Sequence, residues 1–206
     1  RAFCAGQDLN ESSGLADADE GDWIGTWRRF FLAFIEHPKP VVVAVNGVAA
    51  GGGFEIANLA NIRLAVPGAR FIMAEVDIGL PTLVGSYILA SHVFHSRMAA
   101  IVLTGRPVPA AEAAEIGLVH RVVEPGRLAG EARAVAFGLA AKPPRAMALN
   151  IERLRGGWLE RMERDGVFDA LLTYQSEAVA SGEPQRVMAA FLAERARRRA
   201  ARAGAS

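Results

Sequence analysis

Residues 39–57 read KPVVVAVNGVAAGGGFEIA, and this stretch predicts the central unit of the fold. Its run VVVAV, residues 41–45, is β-branched and lacks polar alternation, as in a strand that is buried on both faces of a parallel sheet. An Asn-Gly dipeptide then turns the chain, and three glycines at residues 51–53 lead into a predicted helix over residues 53–61. This order is typical of a strand–helix unit in an α/β protein.

The three glycines are compatible with two roles. Because they lack a Cβ, their backbone N–H groups can be approached closely by a ligand atom, and the following helix adds the positive end of its dipole. The same glycines would allow a helix and a strand to pack closely. They match neither the P-loop nor the dinucleotide-binding glycine pattern. The residues alone therefore leave both roles open.

Strands and helices alternate on both sides of this segment. Downstream, residues 62–66 predict a second strand, and residues 86–95 and 110–116 predict two further helices. Upstream, apolar residues recur with helical spacing before two prolines end the helix, and they are Trp23, Trp27, Phe30, Phe31 and Phe34. The alternation predicts an α/β fold over residues 1–125.

The remainder of the chain, residues 126–206, is predicted to be a helical C-terminal region. Its helices are expected to be separated at the motifs KPP, GG and SGEP, which occupy residues 142–144, 156–157 and 181–184. Two predicted helices carry apolar faces that isolated helices could not bury. We expect the core or another subunit to cover these faces, formed by Phe168, Leu171 and Leu172 and by Met188, Phe191 and Leu192.

The composition excludes several classes of protein. Of 206 residues, 51% are hydrophobic, which is enough for a sizeable core, and the net charge of +1 gives no overall field for nucleic acid or an anionic membrane. The single cysteine, Cys4, cannot form an internal disulfide and fits a reducing cytoplasm. No apolar run approaches the roughly 20 residues of a membrane span. The four histidines lack paired-ligand spacing, so we predict no metal site.

Several motifs together resemble the crotonase family, the enoyl-CoA hydratase/isomerase group. They are AFCAGQDL at residues 2–9, the glycine-rich segment quoted above, and further matches at residues 69–81, 103–123 and 181–195. The resemblance implies the ClpP/crotonase spiral of β-β-α units, followed by a helical trimerisation region. The family's first strands and helix would precede Arg1, so we expect that an N-terminal segment is missing.

The resemblance also implies a binding site for an acyl-CoA thioester. Family members hold the thioester carbonyl oxygen between two backbone N–H groups, which form an oxyanion hole for an enolate-like intermediate. The matching donors in this chain are Gln7, in AFCAGQDL, and Gly52, the middle glycine. Ala5 and Leu9 are weaker candidates for residues that line the path of the adenine and pantetheine groups.

In hydratases of this family, two glutamates face the substrate double bond. The matching residues are Glu55, directly behind the glycines, and Glu75, which lies 20 residues later. Adding water across an α,β-unsaturated thioester needs a base that activates water at Cβ and an acid that protonates Cα. Two neighbouring carboxylates can divide these roles, because their mutual repulsion favours holding one proton between them.

The predicted function is therefore reversible hydration of a 2-enoyl-CoA, with no cofactor other than the coenzyme A that the substrate carries. The alternatives are a double-bond isomerase of the same family, which needs only Glu75, and a non-catalytic relative that binds acyl-CoA or RNA. We expect a homotrimer or homohexamer with no nucleic acid or membrane partner. The basic C-terminal sequence is interpreted as a solvated helix end, because no aromatic residues are interleaved with its arginines.

The chain departs from the family pattern after Glu75. Typical hydratases have a glycine-rich turn there that helps to hold the catalytic water, whereas residues 79–89 read GLPTLVGSYIL. Asp77 is a third carboxylate in this region. If the segment is extended, Glu75 and Asp77 share a face, although a salt bridge or a turn is the favoured role for Asp77.

Overall fold

The computed structural model describes residues 2–9 and 20–203 of the chain. Arg1 and the last residues of the basic C-terminal sequence, 204–206, lie outside this part. Within it, short strands form two sheets. In spatial order, the first sheet contains β1 (Ala2–Cys4), β3 (Val48–Ala50), β5 (Arg70–Ile72) and β6 (Val108–Pro109), and the second contains β2 (Val42–Val45), β4 (Ile62–Ala65) and β7 (Arg121–Val122).

Neighbouring strands pair in parallel, except β5 and β6, which are antiparallel. From β1 to β5, consecutive strands alternate between the sheets: β2 and β4 enter the second sheet, and β3 and β5 enter the first, whereas β6 pairs with β5 in the first sheet. Each strand–strand–helix unit therefore adds one strand to each sheet. Val43 and Val45 are buried on one face of β2, and Val42 and Ala44 are half-buried on the other face. Helix α6 (Leu128–Ala140) packs against this strand.

The remaining helices enclose the sheets. They are α1 (Glu20–Ile35), α2 (Gly52–Leu59), α3 (Val84–Leu89), α4 (His95–Thr104), α5 (Ala110–Glu115), α7 (Pro144–Arg164), α8 (Val167–Ala180) and α9 (Glu183–Ala203). A 3₁₀ turn at Val76–Ile78 lies between β5 and α3. The predicted helix behind the glycines and the helix upstream of the prolines are both present.

The predicted helix over residues 86–95 is wrong, because the segment divides into α3 and α4. Tertiary contacts override the local helical pattern between these helices. Val93 is buried among the sheet residues, and His92 Nε2 makes a 2.8 Å hydrogen bond with the carbonyl oxygen of Asn58. Phe94 is extended, with φ −62° and ψ 147°, and α4 begins directly after it.

The predicted break at Gly156 and Gly157 is also wrong, because α7 continues through both residues. A glycine inside a helix costs about 0.5–1 kcal/mol relative to alanine. The buried face of α7, formed by Ile151, Arg155 and Met162, offsets this cost through packing. The break instead occurs after Arg164, where Gly166 adopts the left-handed conformation with φ 61°.

Two clusters of buried apolar side chains stabilise the fold. The first, which we call the sheet core, lies around the strands and includes Val45, Ala49, Phe54, Leu64 and Phe71. The second, which we call the helical cover, joins α1, α2, α3, α7 and α8, and its buried members are Phe31, Ile35, Leu59, Val84, Ile88, Met162, Val167 and Phe168.

The helical C-terminal region contributes to both clusters, since Leu128 of α6 belongs to the sheet core. The division of the chain at residue 125 remains a prediction about its sequence units. The apolar faces of α8 and α9 are covered in part: Phe168 and Met188 are buried, whereas Leu172 is 42% and Phe191 is 50% exposed. None of the helices in the described ranges is long and apolar enough to cross a membrane.

Candidate active site

A cavity of about 890 Å³ opens between the sheet core and the helical cover. Its walls come from the loop after β1, the N-terminus of α2, the 3₁₀ turn, α1, α8 and α9. Every residue that the sequence predicted as part of the site lines this cavity, namely Ala5, Gln7, Leu9, Gly52, Glu55 and Glu75. Residues from three separate segments of the chain are thus brought to one space.

The loop after β1 and the N-terminus of α2 approach each other closely. Gly6 has φ 85°, and a Cβ on this residue would lie only 3.3 Å from the Gly52 nitrogen. Gly51 N donates a 2.9 Å hydrogen bond to the carbonyl oxygen of Ile72, which anchors the start of α2 to β5. Within the described ranges, neither Gln7 N nor Gly52 N donates a hydrogen bond. Two residues whose amides have no acceptor among the described residues therefore line the same cavity.

The structure gives the consecutive glycines different roles. A Cβ on Gly53 would lie 2.3 Å from the carbonyl oxygen of Cys4, so Gly53 allows α2 to pack against β1. A Cβ on Gly52 would lie 2.5 Å from the ring of Trp27, which forms part of the cavity wall. Close packing and an accessible backbone therefore coexist within one short segment.

Glu55 lies on the first turn of α2, and its carboxylate accepts a hydrogen bond from the backbone N–H of Gly85. Burial, together with repulsion from Glu75, raises the pKa of Glu55 to about 8, against the opposing effect of this hydrogen bond. A carboxyl group with this pKa is mostly protonated at neutral pH. Glu55 is thus suited to hold a proton beside a second carboxylate.

Glu75 precedes the 3₁₀ turn, and its side chain approaches the glycine segment. A Cβ on Gly51 would lie 3.3 Å from Glu75 Oε1, and Thr82 Oγ1 donates a 3.3 Å hydrogen bond to Glu75 Oε2. Burial raises the pKa of Glu75, whereas hydrogen bonds from its own backbone and from Thr82 lower it. The two glutamates therefore share a desolvated environment, in which one proton between them is favoured at neutral pH.

The segment at residues 79–89, which departs from the family pattern, supports both glutamates. Thr82 contacts Glu75, and the backbone of Gly85 contacts Glu55. A Cβ on Gly85 would lie 2.5 Å from Glu55 Oε1, so the glycine leaves room for the carboxylate. Sequence reasoning missed Thr82 and Gly85 as supporting residues. Both lie in residues 79–89, the segment that departs from the family pattern.

Of the two interpretations of Asp77, the favoured turn role agrees with the structure, whereas a face shared with Glu75 along an extended segment does not. The residues after Glu75 form a 3₁₀ turn that is closed by a hydrogen bond from Asp77 N to the carbonyl oxygen of Ala74. The exposed Asp77 packs against Gly105, where a Cβ would lie 2.6 Å from Asp77 Oδ2. In the described ranges, Asp77 forms no salt bridge. Its position is that of a turn residue at the cavity wall.

The helical C-terminal region supplies part of the cavity that the sequence did not predict. Leu171 and Gln175 of α8 and Phe191 and Arg195 of α9 all line it. No local pattern marks these residues as part of a site, because they lie far along the chain from the glycines. In the part of the chain that the structure describes, no group of three His, Cys, Asp or Glu residues is arranged to hold a metal ion.

The chain is similar to one known protein family over most of its length. The family model described as enoyl-CoA hydratase/isomerase matches residues 1–198. The chain belongs to this family. It is therefore similar to enzymes of the hydratase and isomerase type, and the predicted crotonase-like α/β fold with a helical C-terminal region is confirmed by solved structures of the family.

Individual family members share about a third of the sequence. The chain is 33% identical over 199 residues to a protein from Mycobacterium bovis named "Probable enoyl-CoA hydratase", covering 95% of this chain and 75% of that protein. It is also 33% identical over 200 residues to the 1,2-epoxyphenylacetyl-CoA isomerase of Escherichia coli, with 95% and 76% covered. A crystal structure of an enoyl-CoA hydratase/isomerase from Mycobacterium paratuberculosis superimposes with a TM-score of 0.84 at 27% identity, covering 92% of this chain and 76% of that chain.

Proposed function

We propose that this chain catalyses the reversible hydration of a 2-enoyl-CoA thioester. The observation that carries the proposal is the presence of two carboxylates, Glu55 and Glu75, in one cavity with the unbonded amides of Gln7 and Gly52. Family membership supports an enzyme of the hydratase or isomerase type. The second carboxylate favours the hydratase, because isomerisation needs only one group that moves a proton.

In the proposed mechanism, the thioester carbonyl oxygen accepts hydrogen bonds from the N–H groups of Gln7 and Gly52. These donors stabilise the negative charge that develops on the oxygen when the enolate forms, and the N-terminus of α2 adds its dipole. In other enzymes, removing one such donor costs about 2.7–4 kcal/mol of transition-state stabilisation. Ala5 and Leu9, which line the same cavity, are proposed to contact the coenzyme A part of the thioester.

The two glutamates then supply the proton transfers. The ionised carboxylate accepts a proton from water as the water oxygen bonds to Cβ, and the protonated carboxyl group gives its proton to Cα. The raised pKa of Glu55 supports this division, because it keeps one proton in the pair at neutral pH. The reverse reaction uses the same groups with the opposite proton movements.

This reaction needs no metal or redox cofactor beyond the coenzyme A of the substrate. We propose a homotrimer or homohexamer that acts in the cytoplasm. Large apolar side chains on the surface support association, including Phe94, Leu103 and Phe137, which are 87%, 73% and 74% exposed. Residues of this kind commonly mark an interface between subunits.

The first prediction tests the two carboxylates. Glu55→Gln and Glu75→Gln should each lower the rate of crotonyl-CoA hydration on the order of 10²–10⁴-fold, because each removes one of the two proton-transfer groups. The rate is measured from the loss of enoyl-thioester absorbance. Binding of the thioester, measured by calorimetry, should persist, because the backbone amides are unchanged. Glu36→Gln is the matched control, since Glu36 is exposed and lies outside the cavity.

The same variants separate hydratase from isomerase, which the similarity to the Escherichia coli isomerase makes the second candidate. An isomerase would lose activity on a 3-enoyl-CoA in Glu75→Gln and keep most of it in Glu55→Gln. Two variants as active as the parent would contradict both functions. Thioester binding by a parent protein without turnover would indicate a non-catalytic relative.

A further inference from the structure

Gln175 is a largely buried polar residue at the wall of the cavity. It lies on α8 and is 5% exposed as a whole residue, and its side chain makes no hydrogen bond with another residue in the described ranges. Its amide atoms are not among the fully enclosed side-chain atoms that lack a partner, so they remain accessible from the cavity and can take a hydrogen-bond partner there. Because Gln175 lines the cavity of the candidate active site, that partner can be a group of the bound substrate.

The surroundings of Gln175 place it on the acyl side of the cavity. Leu171, one helical turn earlier on α8, packs against the helical cover, which includes Phe31 and Val84. Val84 precedes Gly85, the residue whose backbone contacts Glu55. From the glutamates, the cavity wall therefore continues along α3 to α8. The residues proposed to contact coenzyme A lie instead on the loop after β1.

Arg195 adds a positive charge to the same cavity. It lies on α9, one turn after Phe191, and both residues line the cavity. Among the cavity-lining residues that the structure describes, Arg195 is the one cation, and the acidic residues there include Glu55, Glu75 and Asp77. A negatively charged group at the far end of an acyl chain would bind more tightly, because it could form a charge-assisted hydrogen bond with this arginine. An apolar chain end would gain from neither Gln175 nor Arg195.

We infer that Gln175 is a specificity-determining residue that hydrogen-bonds an oxygen-bearing group on the acyl chain, away from the thioester. This inference rests on the proposed function, because it assumes that an acyl-CoA thioester occupies the cavity. The amide of Gln175 both donates and accepts hydrogen bonds, so it recognises a hydroxyl group or a carboxylate. Arg195 adds a positive charge to the cavity, so it favours a carboxylate over a hydroxyl group on the acyl chain.

The test compares straight-chain 2-enoyl-CoA thioesters that end in a methyl, a hydroxymethyl or a carboxylate group, each at several chain lengths. The parent should hydrate the polar-ended thioesters with kcat/KM about 10-fold or more above the methyl-ended ones at the best length, as expected for about 1.4 kcal/mol. Gln175→Leu should reverse this order. Gln185→Leu is the matched control, because Gln185 lies on α9 outside the cavity and bonds the carbonyl oxygen of Val179.

Two more variants separate the roles of the polar residues. Gln175→Glu keeps the shape of the side chain but adds a negative charge, so it should weaken turnover of carboxylate-ended thioesters and spare the hydroxymethyl-ended ones. Arg195→Gln should lower kcat/KM for carboxylate-ended thioesters alone. An equal loss for all chain ends in Arg195→Gln would show that this arginine contacts coenzyme A instead of the acyl group.

The inference is overturned if the parent prefers methyl-ended thioesters at every length and Gln175→Leu leaves that order unchanged. In that case the proposed hydration still stands. If the parent hydrates none of the thioesters, the proposed function fails, and calorimetric binding of the saturated analogues then tests Gln175 without turnover. If there is no turnover, equal affinity of the parent and Gln175→Leu for polar-ended analogues would also overturn the inference.

Discussion

The sheet core and the helical cover each contain a buried arginine that has no carboxylate partner in the described ranges. In the sheet core, Arg63 Nη1 donates hydrogen bonds to the carbonyl oxygens of Asn58 and Ala60, at the end of α2. Beside the helical cover, Arg155 Nη1 donates to the carbonyl oxygens of Phe34 and His37, at the end of α1. Both arginines thus stabilise the C-terminus of a helix that forms part of the cavity.

The two regions differ in what they contribute to the site. The helix capped by Arg63 carries the Gly52 amide and Glu55, which are groups proposed for thioester chemistry. The helix capped by Arg155 carries Trp27 and Phe31, which shape the cavity wall. If the proposed function is correct, the chemistry depends on the sheet core and the substrate selection on the helical cover. The following predictions test this division, beginning with the largest expected effect.

On the sheet-core side, the buried carboxyl group of Glu55 should make stability depend on pH. Its pKa is raised from 4.5 to about 8 in the folded state, so the folded protein binds more protons than the unfolded chain between these values. The free energy of unfolding should therefore fall as the pH rises through this window, by on the order of 4 kcal/mol. Urea denaturation at about pH 5 and about pH 8.5 measures the change.

The control for this prediction is Glu55→Gln, which has no proton to lose. The variant should lack most of the pH dependence, and what remains should come from other groups, including Glu75, whose pKa is also raised. Hydration should decline above about pH 8 as well, because the pair then loses the proton that it delivers to Cα. Equal pH dependence in parent and variant would show that Glu55 does not carry this proton.

The second prediction concerns packing in the sheet core. Gly53→Ala would place a Cβ 2.3 Å from the carbonyl oxygen of Cys4, and backbone must move to relieve the contact. We expect a loss of about 3 kcal/mol of stability, together with lower hydration activity because β1 moves relative to α2. Gly156→Ala, in α7, is the matched control, since nothing lies within 4 Å of its Cβ. It should stabilise the protein by about 0.5–1 kcal/mol in the same thermal or urea denaturation.

A Gly53→Ala variant with the stability of the parent would mean that α2 and β1 can separate without cost. The close approach would then not explain the third glycine. A destabilised Gly156→Ala variant would contradict the open space beside this residue.

The division between the sheet core and the helical cover also explains which parts of the molecule the sequence could predict. The strand, the glycines and Glu55 are adjacent along the chain, and Gly52 and Glu55 lie on one helical turn. Local pattern and family resemblance were therefore sufficient to predict this unit and to assign Glu75. All six predicted site residues line one cavity, although their catalytic and binding roles stay predictions until the variants are measured.

Tertiary contacts determined what the sequence could not predict. The chain leaves the helical path between α3 and α4 because Val93 enters the sheet core, and α7 passes through its glycines because Ile151 and Met162 are buried. Gln175 and Arg195 reach the cavity from helices more than 100 residues beyond the glycines. Only the folded arrangement of the helical cover shows that these residues share a space with the glutamates.

The last prediction tests whether the helical cover can be loosened separately from the sheet core. Arg155 is 2% exposed, and besides its bonds to the end of α1 it donates through Nη2 to Asn61 Oδ1. Arg155→Met should fill much of the same volume but remove the donor from the carbonyl oxygens of Phe34 and His37, at a cost of about 2 kcal/mol, whereas Asn61 Oδ1 still accepts a hydrogen bond from Val41 N. Arg153→Met, on the exposed face of the same helix, should change stability by less than about 0.5 kcal/mol.

Hydrogen exchange should accelerate in α1 and α7 of Arg155→Met and stay slow in β2 and β4, because local opening follows the contacts that were removed. Equal acceleration in the strands would show that the two regions unfold as one unit, and the division between them would then describe chemistry alone.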